Sequence, residues 1–199
     1  RFVRDRDRHR FVVARGVLRV ILARYLRRDP CGLRFEYGSF GKPMLSGESR
    51  ASDIRFNVSH ADDMALYAVT SGREVGIDIE RIRPDLIPED IAERFFSRQE
   101  VATLRGLPTP SRLEAFFACW TRKEAFIKAR GRGLSLSLDG FDVSLVPGRP
   151  VELLSVRDDP EEANRWSLRQ LFPGDDYVAA LAVEGLGWQL KCWQWDGRA

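Results

Sequence analysis

In the stretch VGIDIE, residues 75–80, apolar side chains alternate with Gly76, Asp78 and Glu80. Alternation along a strand puts the glycine and both carboxylates on one face. Carboxylates two residues apart, about 7 Å along a strand, can share one hard cation. A glycine beside them leaves room for a bulky ligand to approach the backbone. The wet face of an edge strand has the same pattern, and the stretch alone does not choose between the two.

A second group lies in SRLEAFFACWTRKEAFIKARG, residues 111–131. Its apolar stripe runs Leu113, Phe116, Phe117, Trp120 and Ile127, and Glu124 takes the position that continues the stripe after Trp120. A carboxylate on a buried stripe is costly unless it is paired or bound to a metal. Lys128 follows one turn on, so an ordinary surface pair at i,i+4 is the competing reading. Third, FNVSH sets Asn57, Ser59 and His60 at a strand end, with Asp62 and Asp63 in the turn beyond. These donors suit phosphate oxygens and equally suit a turn-capping cluster. Fourth, GSFGKPML shapes a loop that presents Lys42, without the P-loop pattern.

The elements that must position these residues are legible in outline. Residues 9–28 carry apolar positions at helical spacing, and Asp29-Pro30 ends that helix. Strand-like runs follow: LRFEY, IRFNVS, MALYAVT and EVGIDIE. The last two are predicted to form a hairpin through Ser71-Gly72-Arg73. Ser97 with Glu100, and Ser111 with Glu114, have the spacing of capping boxes, the second opening a long helix that Gly131 and Gly133 stop. FDVSLV, WSLRQLF, DYVAALAVE and GWQLKCWQW read as closing strands. DDMALYAVTSG and DDYVAALAVEG align without a gap, a faint internal echo. Helix, strands, helices, strands is an α+β order rather than the strict alternation of a parallel α/β sheet. The join falls near residues 81–90, giving halves 1–85 and 86–199.

Composition narrows the function class. The chain has 199 residues, is 44% hydrophobic, and carries a net charge of +3. Of its 32 basic residues only Lys42, Lys123, Lys128 and Lys191 are lysines. Arginine's planar fork suits phosphates and carboxylates, and the Arg-rich first segment fits a nucleic-acid face, a phosphate face or a solvated helix surface. Three scattered cysteines make neither a disulfide framework nor a metal spacing, which fits a reducing cytoplasm. No apolar run approaches the roughly 20 residues of a membrane span.

Taken in order, GKPML, FNVSH, VGIDIE, RFFSRQE and WTRKEAFIKARGRGL resemble the 4′-phosphopantetheinyl transferase superfamily, above all its long, Sfp-type members. The match covers about residues 1–145 and includes G-[IV]-D and W-x-x-K-E-x-x-x-K. The resemblance implies a pseudo-two-fold arrangement of two similar α+β halves with the active site in the cleft between them. It implies coenzyme A as co-substrate and Mg²⁺, with Mn²⁺ able to substitute. A serine of an apo acyl or peptidyl carrier protein attacks the β-phosphorus, and 3′,5′-ADP leaves. By the same resemblance Asp78, Glu80 and Glu124 face the metal, Glu124 is the base, and Lys128 neutralises a diphosphate oxygen. Ser59 and His60 hold the phosphate under attack, and Trp120 packs behind the site. Lys42, Arg6 and Arg10 serve the nucleotide end. Relatives carry further residues ahead of the segment that begins here at Arg1, so the complete protein is expected to extend beyond it. A cytoplasmic monomer that binds neither nucleic acid nor membrane is the accompanying expectation. The competing reading is an Arg-rich nucleotide or nucleic-acid module without catalysis.

Overall fold

The computed structural model describes residues 5–131 and 136–197, and for residues 5–7 the backbone alone. The first helix, α1 (Asp5–Leu26), buries one stripe, Leu18, Leu22 and Ala23, against Leu33, Leu45 and Phe56. Two hairpins follow. Strand β1 (Arg34–Tyr37) pairs antiparallel with β2 (Pro43–Ser46), and β3 (Ile54–Ala61) with β4 (Met64–Ser71). The β3–β4 turn is the Asp62-Asp63 pair, with Asp62 at φ 49°. Aspartate tolerates that left-handed conformation because its short side chain bonds locally.

Strand β5 (Val75–Arg81) departs from the sequence expectation. The chain reverses at Gly72, but β5 does not pair with β4. It pairs antiparallel with β9 (Tyr177–Glu184), which also pairs with β8 (Trp166–Leu171), giving a sheet of order β5-β9-β8. The turn signal fixes a reversal and not a partner. Val75, Gly76, Ile77, Asp78 and Ile79 are all buried, so β5 must be covered on both faces. Val75 and Ile77 meet Ala68, Leu181 and Val183 on one side. Strand β3 is tied to β5 by a side chain instead of a ladder, since the Ile77 N–H donates to Asn57 Oδ1 at 2.9 Å.

Helix α2 (Pro88–Phe95) and helix α3 (Arg98–Gly106) lead into α4 (Thr109–Arg130). The Ser97–Glu100 capping box forms as its spacing predicts: Ser97 Oγ accepts from the Glu100 N–H at 3.1 Å, and Glu100 Oε2 from the Ser97 N–H at 2.9 Å. The Ser111–Glu114 box does not form. Helix α4 begins earlier, at Thr109, with Pro110 in its first turn, where a fixed φ and a missing N–H cost nothing. Ser111 therefore lies inside the helix. Gly131 closes α4 in the left-handed conformation at φ 63°; Gly133 lies outside the described residues.

The rest is β6 (Phe141–Val143) paired with β7 (Leu153–Val156), and then the β8–β9 hairpin. α2, β2 and β7 are too short for their periodicity to announce them. GWQLKCWQW, expected as a strand, carries no ladder; Trp188 packs beside the Leu181–Val183 cluster instead, and Trp195 lies under Arg24 of α1. The order helix, hairpin, hairpin thus occurs twice, as α1, β1–β2, β3–β4 and as α4, β6–β7, β8–β9. The two echoing segments, β4 and β9, hold the same place in each repeat. This is the α+β, mainly antiparallel fold of two similar halves that the sequence implies.

Candidate active site at a helix–strand crossing

Strand β5 passes directly over α4. A Cβ placed on Gly76 would stand 2.1 Å from Ala125 O and 2.3 Å from Ala129 N. Gly76 is therefore required by the approach of two backbones, and the sequence expectation that it leaves space for a ligand is corrected. The residues opposite Gly76, Asp78 and Glu80 on β9 are Ala182, Ala180 and Val178, so this whole sheet face lies under α4. Alternation carries Asp78 and Glu80 onto the same face, toward the helix.

Asp78 is 4% exposed. Its Oδ1 accepts from Lys128 Nζ at 2.5 Å and from Ser59 Oγ at 2.9 Å, while Lys128 also donates to Ser59 Oγ at 3.0 Å. Its Oδ2 is buried without a hydrogen-bond partner. Burial raises the Asp78 carboxyl above the usual carboxylate range, against the lowering effect of Lys128 and Ser59. Burial also raises Glu80, and Asp78 and Glu124 push it further, opposed by Arg83 and Lys128. Burial raises Glu124 as well, reinforced by Asp78 and opposed by Lys128. Three carboxylates thus share this corner with Lys128 and Arg83 as the opposing charges.

Helix α4 is buried nearly all round at residues 115–129, apart from the line Trp120, Glu124, Lys128, which is half-buried. Glu124 therefore does not sit on a buried aromatic stripe, as the spacing suggests; it occupies the single open line of an otherwise enclosed helix. Trp120 on that line meets the Phe95 ring edge-on at 5.8 Å.

The remaining expected residues lie elsewhere. Ser59 and His60 are neighbours on β3 and so face opposite sides: Ser59 points to Asp78, and His60 opens onto a cavity of about 370 Å³ between α1 and the β3–β4 hairpin. The resemblance sets both on the phosphate under attack; strand alternation turns their side chains to opposite sides of β3. Arg10 lines the same cavity and donates to Asp63 Oδ1 at 2.7 Å. The side chain of Arg6 lies outside the described residues. Lys42 donates to Glu74 Oε2 and to Ala129 O, each at 2.8 Å, at the C-terminal end of α4. Adjoining Pro43 belongs to the cavity wall. Three more of the first helix's arginines are engaged: Arg19 donates to Pro30 O and Leu33 O, Arg15 lies over the Phe11 and Tyr37 rings, and Arg24 over Trp195.

Among the described residues, no three His, Cys, Asp or Glu side chains form a ready-made metal cage. A hard cation such as Mg²⁺ does not need one, because it takes one or two carboxylates and completes its shell with water and substrate phosphates. The orphaned Asp78 Oδ2, with Glu80 on the same strand face and Glu124 across the crossing on α4, fits such an ion.

The raised carboxyls give a sign for stability. A carboxyl whose folded pKa lies above its unfolded value binds protons preferentially in the folded state, so stability falls as pH rises between the two values. Glu124→Gln removes that cost. Thermal unfolding in chelator should show the variant melting higher than wild type near neutral pH, with the advantage shrinking in acid, where wild-type Glu124 is itself protonated. An advantage that grows in acid would contradict the charge balance described above.

Fold and site together define a class: α+β proteins in which a G-I-D strand crosses a carboxylate-bearing helix, a site chemically suited to phosphoryl transfer. The profile of the 4′-phosphopantetheinyl transferase superfamily matches residues 74–182, and that of the 4′-phosphopantetheinyl transferase N-terminal region matches residues 1–72. The 4′-phosphopantetheinyl transferase HetI of Nostoc is 42% identical over 98% of this chain and 79% of its own length. The 4′-phosphopantetheinyl transferase Sfp of Bacillus subtilis is 36% identical over 73% of this chain and 62% of its own length. The holo-[acyl-carrier-protein] synthase of Thermotoga maritima aligns in structure over 56% of this chain and 62% of that one, at 29% identity and a TM-score of 0.45. The chain belongs to the 4′-phosphopantetheinyl transferase superfamily. It is a transferase of that type, for which coenzyme A is the co-substrate, and the reading of the Arg-rich first helix as a non-catalytic nucleic-acid module falls.

Sequence reasoning missed a second charged group, one position before Glu124. Lys123 is 0% exposed and pairs with Glu100, 2% exposed, at 2.8 Å inside the second half. Its only signal is its place in WTRKEAFIK, where helical spacing cannot distinguish it from a surface lysine.

Proposed function

We propose that the enzyme transfers 4′-phosphopantetheine from coenzyme A to a serine of an apo acyl or peptidyl carrier protein, with Mg²⁺ at the helix–strand crossing. The observation that carries this reading is the Asp78 carboxylate, half satisfied by Ser59 and Lys128 and half unsatisfied, beside Glu80 and Glu124. Asp78, flanked by Glu80 and Glu124, would hold the cation, which would supply positive charge against the diphosphate and the leaving ADP. Lys128, tethered to Asp78 and Ser59, is placed to neutralise a diphosphate oxygen.

Glu124 acts as the base. A carboxyl raised by burial is a stronger proton acceptor at neutral pH than an ordinary one. It takes the serine proton as the serine oxygen bonds to the β-phosphorus, and the bond from that phosphorus to 3′,5′-ADP breaks. Ser59 orients Lys128 and Asp78. His60 and Arg10, with Lys42 and Arg6, serve the nucleotide end from the cavity side of β3. Occupation of that end by Lys42 entails release of its bond to Glu74. In this scheme residues 1–85 and 86–199 act as two halves, with β5 joining them at the site. Free Cys31, Cys119 and Cys192 suit a reducing cytoplasm, and no helix among the described residues is long and apolar enough to cross a membrane.

The test is incubation with coenzyme A, Mg²⁺ and a panel of apo acyl, aryl and peptidyl carrier proteins, followed by intact mass. One carrier class should gain the mass of a single phosphopantetheine, and only with the divalent ion present. A folded protein that modifies none of them, or modifies them equally in chelator, would overturn the reading.

A further inference from the structure

We propose that Lys123 and Glu100 are positioning residues for the transfer site, an inference that rests on the function proposed above. The ammonium of Lys123 has three protons and three acceptors: Glu100 Oε2 at 2.8 Å, Leu138 O at 2.7 Å and Phe141 O at 2.6 Å. The Phe141 ring covers it at 4.2 Å. Glu100 is equally committed. Its Oε2 closes the capping box at Ser97, and its Oε1 accepts from the Val143 N–H at 2.9 Å. One buried pair thus joins four pieces of the second half: the start of α3, the middle of α4, the turn at residues 138–140 and strand β6.

A pair this deeply buried contributes little net stability, because desolvation offsets most of its attraction, whereas removing one partner strands a charge. What such a pair can do is fix register. Successive residues of a helix point about 100° apart, from 3.6 residues per turn, so Lys123 and Glu124 leave α4 in different directions from one point on its axis. Holding Lys123 at three fixed acceptors prevents α4 from rotating or sliding. Glu124 and Lys128 share one line on that helix, and both must meet β5 and β3 across the crossing. A rotation that released Lys123 would swing Glu124 and Lys128 together, away from Glu80 and from Asp78 and Ser59. Gly76 fixes how close α4 lies to β5, and Lys123 fixes which line of α4 faces it. Arg122 assists from the next position, donating to Ser144 O and to Gln170.

The experiment compares Lys123→Met with Leu22→Ala, a core truncation in α1 whose hydrophobic cluster holds no residue of α4 and which serves as a control for lost stability alone. For each, thermal unfolding, Mg²⁺-dependent coenzyme A binding by calorimetry, and kcat and KM for the acceptor are measured well below the transition. Lys123→Met is expected to lose about tenfold or more in kcat, as misplacement of a catalytic group does, and to bind coenzyme A more weakly with Mg²⁺. Leu22→Ala, destabilised too, should keep wild-type values of both. If Lys123→Met does not fold, Glu100→Gln decides, since glutamine keeps the side chain's size but removes its charge and turns one end into a donor, which faces either the Val143 N–H or the Ser97 N–H and Lys123; a loss of kcat with KM unchanged is expected. The inference falls if a folded Lys123→Met behaves as Leu22→Ala does, or if Glu100→Gln turns over like wild type when Lys123→Met is unfolded. A wild-type chain that modifies no carrier would instead overturn the function itself.

Discussion

Asp78→Asn is expected to leave the fold intact and to lower kcat by roughly 10²- to 10³-fold, the range for losing one preorganised electrostatic contact in a water-poor site. Asparagine matches aspartate in size, so the β5-β9 ladder and the contacts to α4 are undisturbed. The charge is not matched. Oδ1 now anchors both Lys128 and Ser59, and a neutral amide holds the ammonium only as a carbonyl would. The amide must also direct its NH₂ either at Lys128 and Ser59 or into the space before Oδ2. In the first orientation the Lys128 tether is lost; in the second a donor occupies the side proposed for a cation. Both orientations damage the site through electrostatics rather than folding. The lost attraction to Lys128 is offset in part because the buried carboxyl already resisted ionisation. Melting should therefore move by no more than a few degrees, while calorimetry records weaker Mg²⁺-dependent coenzyme A binding. A folded Asp78→Asn whose turnover lies within about twofold of wild type would remove Asp78 from the chemistry.

What the sequence made legible follows from how local each signal is. The Ser97–Glu100 box and the Gly131 stop depend on a few consecutive residues, and both formed where their spacing placed them. The echo between β4 and β9 survived because each repeat keeps the same hairpin. Asp78 and Glu80 share a face through strand alternation, and Glu124 and Lys128 share a line through helical spacing, so the lines of approach were readable before the crossing was. The crossing itself was not. β5 selected β9 over its neighbour β4 because both of its faces needed cover, a property of the assembled halves. Ser59 and His60 are a different kind of miss: adjacent strand residues face opposite ways, so the separation was readable and motif matching alone obscured it. Lys123 was marked only as a letter of W-x-x-K-E-x-x-x-K, because helical spacing cannot tell an interior lysine from a surface one.

Gly76→Ala should be the most damaging small substitution in the chain. The added methyl meets Ala125 O and Ala129 N, backbone atoms that cannot rotate away as a side-chain tip does. Gly16 has nothing within 4 Å of its own Cβ direction, so Gly16→Ala in α1 is the natural control for changing glycine to alanine as such. At position 76 either α4 lifts off the sheet or β5 bends away from β9. Overpacking of this kind costs about 1–3 kcal/mol and sometimes more, and backbone obstacles on two sides argue for the upper end. With roughly 2–4 °C per kcal/mol for a chain of this size, melting should fall by about 6–12 °C. Activity should fall further than the folded fraction does, because Lys128 reaches Asp78 and Ser59 from the same segment of α4 that must move. Transfer measured well below the transition, where the variant is almost wholly folded, separates the two losses. A Gly76→Ala variant that melts and turns over like wild type would mean that β5 and α4 can separate without consequence. The closeness of the two backbones would then no longer explain why Asp78 and Lys128 meet.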